Sequence, residues 1–433
     1  MKRRSYQSTL SYRQRGAATL VVVMMLFLVM ALLAAYANRS LMFEQRISNS
    51  YYRASISQEM AAAGVEWSVA LLNGPAIDEA CRPVTTGGVR FADRYLAITP
   101  EDRGIKPNGA SGGFAADCTR VADGWTCRCP LLGHRQVPDP VDSVALIPSF
   151  GISIQPVADG SGTVQISAQG CTSSVADYCS DAETNTKNYL GLSREIALIA
   201  LVSAVRSPPA APLIIKGALT SGAGLGLHNT DARSAGLLVV AGGGLSNDLV
   251  DSRLDSVPGT ATSLAKISGD QTLVNASTDD VFKMFMGAAP ARYKQHPSLR
   301  VVACGDGDCA GALQSAYDVG KRILLVQGHL VISSNKTLGS PTDPVVVIAT
   351  GGVTLRGAFQ FNGMLVSQGD LDWSNTSGLT SLVTGTVLVE GDMTTGGSGM
   401  DITYKQSIAD QLRNRVGSYV RVPGSWLDDG NGN

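Results

Sequence analysis

The sequence predicts an α+β protein in three parts. A long N-terminal helix, transmembrane and then amphipathic, carries a small sheet domain on its outer half, and a β-solenoid-like all-β domain follows. Three observations lead there. Residues 17–37 contain no charge and almost no polar atom. Beyond them, apolar residues recur at spacings of threes and fours as far as Leu72, the mark of one helix face. From residue 213 onward, a short apolar strand, a glycine corner and a second short strand recur at about 20-residue intervals.

The helix comes first. Ala17 to Ala37 is 21 residues, roughly 31 Å at 1.5 Å per residue, enough to cross the hydrocarbon core of a bilayer. Its outer continuation places Leu41, Ile47, Tyr51, Ala54, Ala61, Val65, Val69 and Leu72 on one face. Asn73-Gly74-Pro75 reads as a stop, with glycine for a left-handed turn and proline to forbid continuation. The whole is one helix over residues 17–74, roughly 85 Å long. Lys2, Arg3, Arg4, Arg13 and Arg15 precede it with no acidic residue among them, so its N-terminus lies in the cytoplasm. Ala35-Tyr36-Ala37 would satisfy a secretory cleavage rule, but the apolar core exceeds the usual 7–15 residues and the helix continues through that point. A plain membrane anchor is the stronger rival.

The residues Arg15-Gly16-Ala17-Ala18-Thr19-Leu20-Val21-Val22-Val23, then Glu44-Gln45-Arg46-Ile47-Ser48-Asn49, resemble the N-terminal domain of PilX-type minor pilins of type IV pili, over about 60 of 433 residues. The resemblance implies a basic leader, residues 1–16, cut by a prepilin peptidase after Gly16, with Ala17 as the new and methylated N-terminus. It also implies an inner-membrane location, single-pass with the C-terminal domain periplasmic, and later a place in the pilus or at the cell surface. The implied partners are other minor and major pilins, the prepilin peptidase and the inner-membrane assembly machinery, with a surface ligand for the head. Major pilins carry glutamate at the fifth mature position, where this chain has Val21. A buried N-terminal amine needs a neighbouring carboxylate, because an isolated buried ion costs several kcal/mol. A subunit with Val21 cannot supply one, which suits a tip or initiation complex better than the repeating shaft.

Without the five leader cations the chain has 30 Lys and Arg against 36 Asp and Glu, a charge of −6. That argues against a nucleic-acid surface. The cysteines Cys81, Cys118, Cys127, Cys129, Cys171, Cys179, Cys304 and Cys309 all fall on the outer side, where an even count reads as disulfides. Cys304/Cys309 and Cys171/Cys179 close short loops, and the pairing of the other four stays open. Zinc fits poorly, since Cys127-Arg128-Cys129 is CxC and no histidine pair follows at ligand spacing.

Between residues 75 and 206 an α+β head is expected, with strands over 150–155, 162–168 and 194–205. Residues 194–202 are so uniformly apolar that they predict a strand covered on both faces. Ser207 to Pro212 holds three prolines and reads as an extended linker. The segments 324–332, 346–355, 363–373 and 385–393 then repeat, with glycines at Gly328, Gly352, Gly369 and Gly391, and residues 236–245 form an isolated earlier copy. An insertion over 247–319 contains a helix at Thr278–Met286. A helix at 407–416 and the tail 419–429 are expected to cap the open end, as repeat folds require.

A secreted β-solenoid raises the question of polysaccharide chemistry, which needs convergent carboxylates, or calcium with a basic residue. Asp370/Asp372 and Glu390/Asp392 each lie two apart, but a solvated outer face explains them more simply. Asp306 and Asp308 read as a polar loop tip. His134, His228, His296 and His329 are scattered. The residues predict no catalytic group, metal or cofactor.

Overall fold

The structure, a computed structural model, describes residues 15–84, 87–100, 103–107, 117–121, 124–130, 146–157, 162–173, 191–246, 248–305 and 307–429. It is a mixed α+β chain: one long apolar N-terminal helix and extensive β-sheet.

Helix α1 spans Arg15–Leu72 without a break. Its end differs from the expected stop in one respect. Gly74 is not among the described glycines with positive φ, so no left-handed turn closes the helix. The side chain of Asn73 does part of that work, donating from Nδ2 to the carbonyl of Val69 at 2.9 Å, and Pro75 follows. Two short hairpins come next, β1 (Ala76–Ile77) with β2 (Val89–Arg90) and β3 (Leu96–Ile98) with β4 (Ile105–Pro107), separated by α2 (Phe91–Tyr95).

The head sheet is antiparallel. Strands β5 (Cys118–Val121), β6 (Gly124–Cys127), β7 (Ser149–Pro156), β8 (Thr163–Cys171) and β9 (Leu192–Ser203) run in the spatial order β9-β8-β7-β5-β6. The outer third of α1 lies on β7, β8 and β9, burying Met60, Val65 and Leu72 against Phe150, Ile152, Ile166 and Ile199. Trp67 meets Phe150 and Phe91 edge-on, at 5.6 and 6.2 Å between centroids. The approach is close enough to require glycine. A Cβ on Gly170 would stand 2.0 Å from the Ser57 carbonyl oxygen and 2.4 Å from the Ala61 nitrogen. In β9 the burial alternates, with Ala197, Ile199 and Leu201 on the covered face. Cover on both faces, expected from its apolar run, is not what the strand has: α1 takes one face and the other stays half-exposed.

Beyond the head, every strand pairing from β10 to β26 is parallel. The strands are β10 (Leu213–Ile215), β11 (Leu219–Thr220), β12 (Leu225–His228), β13 (Val239–Ala241), β14 (Leu254–Asp255), β15 (Lys266–Ile267), β16 (Leu299–Val302), β17 (Ile323–Val326), β18 (Leu330–Ile332), β19 (Lys336–Leu338), β20 (Val345–Ala349), β21 (Val353–Leu355), β22 (Phe359–Ser367), β23 (Leu371–Asn375), β24 (Ser381–Val389), β25 (Met393–Gly397) and β26 (Met400–Thr403). They form three ladders that the chain visits in rotation. The first is β16-β17-β20-β22-β24-β10-β13-β15 and the second β18-β21-β23-β25-β11. The third, β19-β22-β24-β26-β12-β14, uses the N-terminal halves of β22 and β24.

The repeats read from the sequence pair with one another in register: Leu330, Val353, Leu371 and Met393 are successive partners. A glycine column marks one corner, each N–H donating to the preceding carbonyl from Gly351 to Gly328, Gly369 to Gly351, Gly391 to Gly369, Gly217 to Gly391 and Gly243 to Gly217, over 2.8–3.2 Å. The column passes through Gly351 rather than its neighbour Gly352. The spatial order also departs from chain order, since β10 and β13 stack beyond β24, the last strand of the series.

The first ladder is apolar on both faces because both are covered. Leu324, Val347, Leu365 and Val387 point into the core between the ladders. Leu325, Ile348, Val366 and Leu388 face outward into a second cluster with Phe282, Met286, Tyr293, Ile408 and Leu412. Those residues come from helices of the insertion and the tail, α4 (Thr278–Met286), α5 (Pro290–Tyr293) and α7 (Gln406–Asn414); α3 (Gln271–Asn275) precedes them. The α4 bounds are those expected from the sequence. Ser277 caps α4, its Oγ accepting from Asp280 N at 3.1 Å, and Gly287 closes it with φ +84°. Helix α6 (Ala310–Asp318) buries Ala310 and Leu313 in the core beside β16 and β19. The tail does not close the end of the stack. Strands β27 (Gly417–Arg421) and β28 (Leu427–Asp429) pair antiparallel with β9 and extend the head sheet.

Candidate functional site: the projecting helix and a polar groove

Along α1, residues 18–52 are exposed, and burial begins around Ile56 and Ser57. The same helix is thus core at one end and bare at the other. None of the apolar stretch is covered by the rest of the chain. By length and composition it can cross a membrane. Gly16 and Ala17 lie in the first turn of α1. Val21 lies on the bare part, 55 % exposed, with Ala37 further along it. The predicted apolar face divides: Ala61, Val65 and Leu72 are buried, whereas Leu41, Ile47 and Tyr51 are not.

The disulfides resolve the open pairing. Cys81 bonds Cys129, and Cys118 bonds Cys127 across the β5–β6 hairpin. Cys304 bonds Cys309. Cys171 is also disulfide-bonded; Cys179 lies outside the described residues.

The paired carboxylates do not converge. Asp370 Oδ1 accepts the Asp392 N–H at 2.9 Å, and Asp392 Oδ1 accepts the Ala218 N–H at 2.8 Å, so both tie one rung to the next. Asp372 pairs with Arg356 at 2.6 Å. Glu390, expected on a solvated face, is 5 % exposed. Burial, with Asp279 adding to it against Lys216, pushes its carboxyl up to about 8. Asp308 accepts from the backbone N–H groups of Ala310 and Ser333, at 3.2 Å each, and anchors the start of α6. Asp306 and His134 lie outside the described residues. His329 contacts Thr354 Oγ1 at 2.8 Å, and His296 the Val202 carbonyl at 3.1 Å.

His228 is different. Its Nε2 lies 3.1 Å from Asp401 Oδ1, and Arg253 Nη2 reaches the same oxygen at 2.6 Å. The three residues come from β12, from β26 and from the residue preceding β14, adjacent in the third ladder. His228 and Asp401 line a groove of about 360 Å³ together with Thr230, Asp255, Leu382, Thr403, Tyr404 and Lys405. Positions 228 and 401 are 173 residues apart, and the repeat series in the sequence ends before Asp401, so local spacing carried no sign of the cluster. The alternation Leu225-Gly226-Leu227-His228 was the available signal, placing His228 opposite two core leucines. Among the described residues, no group of three or more His, Cys, Asp or Glu could hold a metal ion. Compared with known protein families, curated proteins and solved structures, the chain matches none.

Proposed function

We propose that this chain is a minor pilin of the PilX type, acting in the assembly, initiation or tip of a type IV pilus. The observation that supports it most is the split character of α1. Residues 18–37 are apolar and residues 18–52 bare, yet the helix runs without a break into the core of the head. Such a helix is held rigidly by the head and offers its free length first to a bilayer, then to the matching helices of neighbouring subunits. On this reading residues 1–16 are the cleaved leader, 17–37 span the inner membrane, and the rest is periplasmic before assembly. Val21 supplies no carboxylate to a neighbouring N-terminus, which favours a special position over the shaft. The region from residue 213 is read as a non-catalytic β-solenoid, supported by the three parallel ladders and the glycine column, and held out for contact with a surface or partner.

The test is the N-terminus of the membrane-extracted protein by mass spectrometry, with and without Gly16→Val. A chain starting at Ala17 in the wild type alone supports the pilin pathway; an intact Met1 in both samples overturns it. The His228 groove favours a second reading, a membrane-anchored carbohydrate-active protein. That protein would stay uncut in the membrane fraction and depolymerise a glycan.

A further inference from the structure

We infer that the groove lined by His228 and Asp401 binds a neutral, hydroxyl-rich glycan strand lying across β26, β12 and β14. The register builds it. Met400 and Ile402 of β26, Leu225 and Leu227 of β12 and Leu254 of β14 all point into the core, so their alternates face out. Thr403, His228 and Asp255 are successive ladder partners and form one outward row. Asp401 and Gly226 pair in the row beside it, which Arg253 completes. Three strands span two ladder steps, roughly 10 Å, and the rows run along the stack, a track for an extended ligand rather than a closed pocket for a compact one.

Gly226 is buried beneath the charged cluster at the groove's edge. A Cβ there would stand 2.1 Å from Asp401 Oδ1, 3.0 Å from His228 Nε2 and 3.2 Å from Arg253 Nη2. Only a residue without a side chain lets an imidazole and a guanidinium converge on one carboxylate oxygen across that strand. The convergence fixes all three groups, and fixed polar groups bind without losing side-chain freedom.

The ligand class follows from what is left over. Arg253 and Asp401 neutralise each other at 2.6 Å. Of the charged residues that line the groove, Asp255 and Lys405 remain, one of each sign. Among the described residues that line it, an anionic polymer would find one free cation, a cationic polymer one free carboxylate, and an apolar ligand only Leu382 and the ring of Tyr404. A neutral sugar presents vicinal hydroxyls that both donate and accept, and the groove offers both: the Asp255 carboxylate accepts, Lys405 donates, and Thr403 does either. With Nε2 held by Asp401, His228 offers its other ring nitrogen to the ligand. This gives the head's contact a ligand class, and it requires neither cleavage at Gly16 nor assembly of α1.

The test uses full-length protein in detergent. Affinity electrophoresis and saturation-transfer NMR would be run against a β-glucan, an α-mannan and a galactan as neutral probes, with polygalacturonate and chitosan as charged ones. At least one neutral probe is expected to bind, with His228→Ala and Asp401→Asn each weakening it at least tenfold. Gly226→Val should abolish binding. Should that variant fail to fold, Thr403→Trp blocks the same groove from an outward position, and unfolding temperatures report which variants are intact. Binding of none of the neutral probes, preference for a charged one, or equal binding by folded groove variants overturns the inference. Release of shorter sugars from a bound probe would make the groove catalytic and overturn the non-catalytic reading above, while leaving the ligand class standing.

Discussion

The side-chain amide of Asn73 and the backbone of Tyr419 form a reciprocal pair of hydrogen bonds. Asn73 Nδ2 donates to the Tyr419 carbonyl and the Tyr419 N–H donates to Asn73 Oδ1, both at 2.8 Å. The pair joins the last turn of α1 to β27, 346 residues later. Tyr419 itself is buried, which pushes its phenol up to about 12. Asn73→Ala would leave both backbone groups without these partners, at a cost of roughly 1–3 kcal/mol. Asn73→Asp keeps the acceptor but sets a carboxylate oxygen against the Val69 and Tyr419 carbonyls at the negative end of α1, and should cost at least as much. Urea unfolding of the three proteins checks the order.

Gly170 tests the contact between α1 and the head sheet. Gly170→Ala sets a Cβ against the Ser57 carbonyl and the Ala61 nitrogen, and backbone on both sides cannot give way cheaply. A loss of roughly 3 kcal/mol is expected, at the upper end for overpacking. A change below 1 kcal/mol would mean that helix and strand stand further apart than the structure places them.

Glu390 makes stability depend on pH. Its folded carboxyl holds a proton to about 8, while an unfolded one ionises near 4.3. The folded state therefore binds more protons over that window, and stability falls as pH rises through it. Glu390→Gln stays neutral, so it should match the wild type near pH 4 and exceed it at pH 8, by roughly 3 kcal/mol at neutrality. Paired thermal melts at the two pH values measure the difference; equal gains at both would mean that the carboxyl is not buried as a neutral acid.

The Cys81–Cys129 bridge closes the longest loop of the three described pairs, 48 residues apart. Chain-entropy arithmetic gives about 4 kcal/mol for its removal. Cys81→Ser with Cys129→Ser should lower the unfolding temperature more than the Cys304/Cys309 double serine variant, whose loop is only 5 residues apart. Calorimetry under non-reducing conditions ranks them.

Val21→Glu tests the role assigned to the bare helix. A carboxylate at that position would compensate a neighbour's buried amine, and the fraction of the protein recovered in sheared fibres should rise. An unchanged fraction would remove Val21 from the account of position.

Sequence alone determined what depends on near neighbours along the chain. The length and apolar run of α1, the strands over 150–155 and 162–168, helix α4 at Thr278–Met286 and the repeating strands all rest on local periodicity and caps, and each stands where the spacing placed it. Tertiary structure decided whatever required distant segments to meet. The stacking of β10 and β13 beyond β24, the tail's return to β9, and the cover that leaves Glu390 neutral depend on which surfaces find partners. So does the groove at His228 and Asp401. Parallel pairing sets residues far apart in sequence side by side, and no short-range pattern records which rung lands next to which.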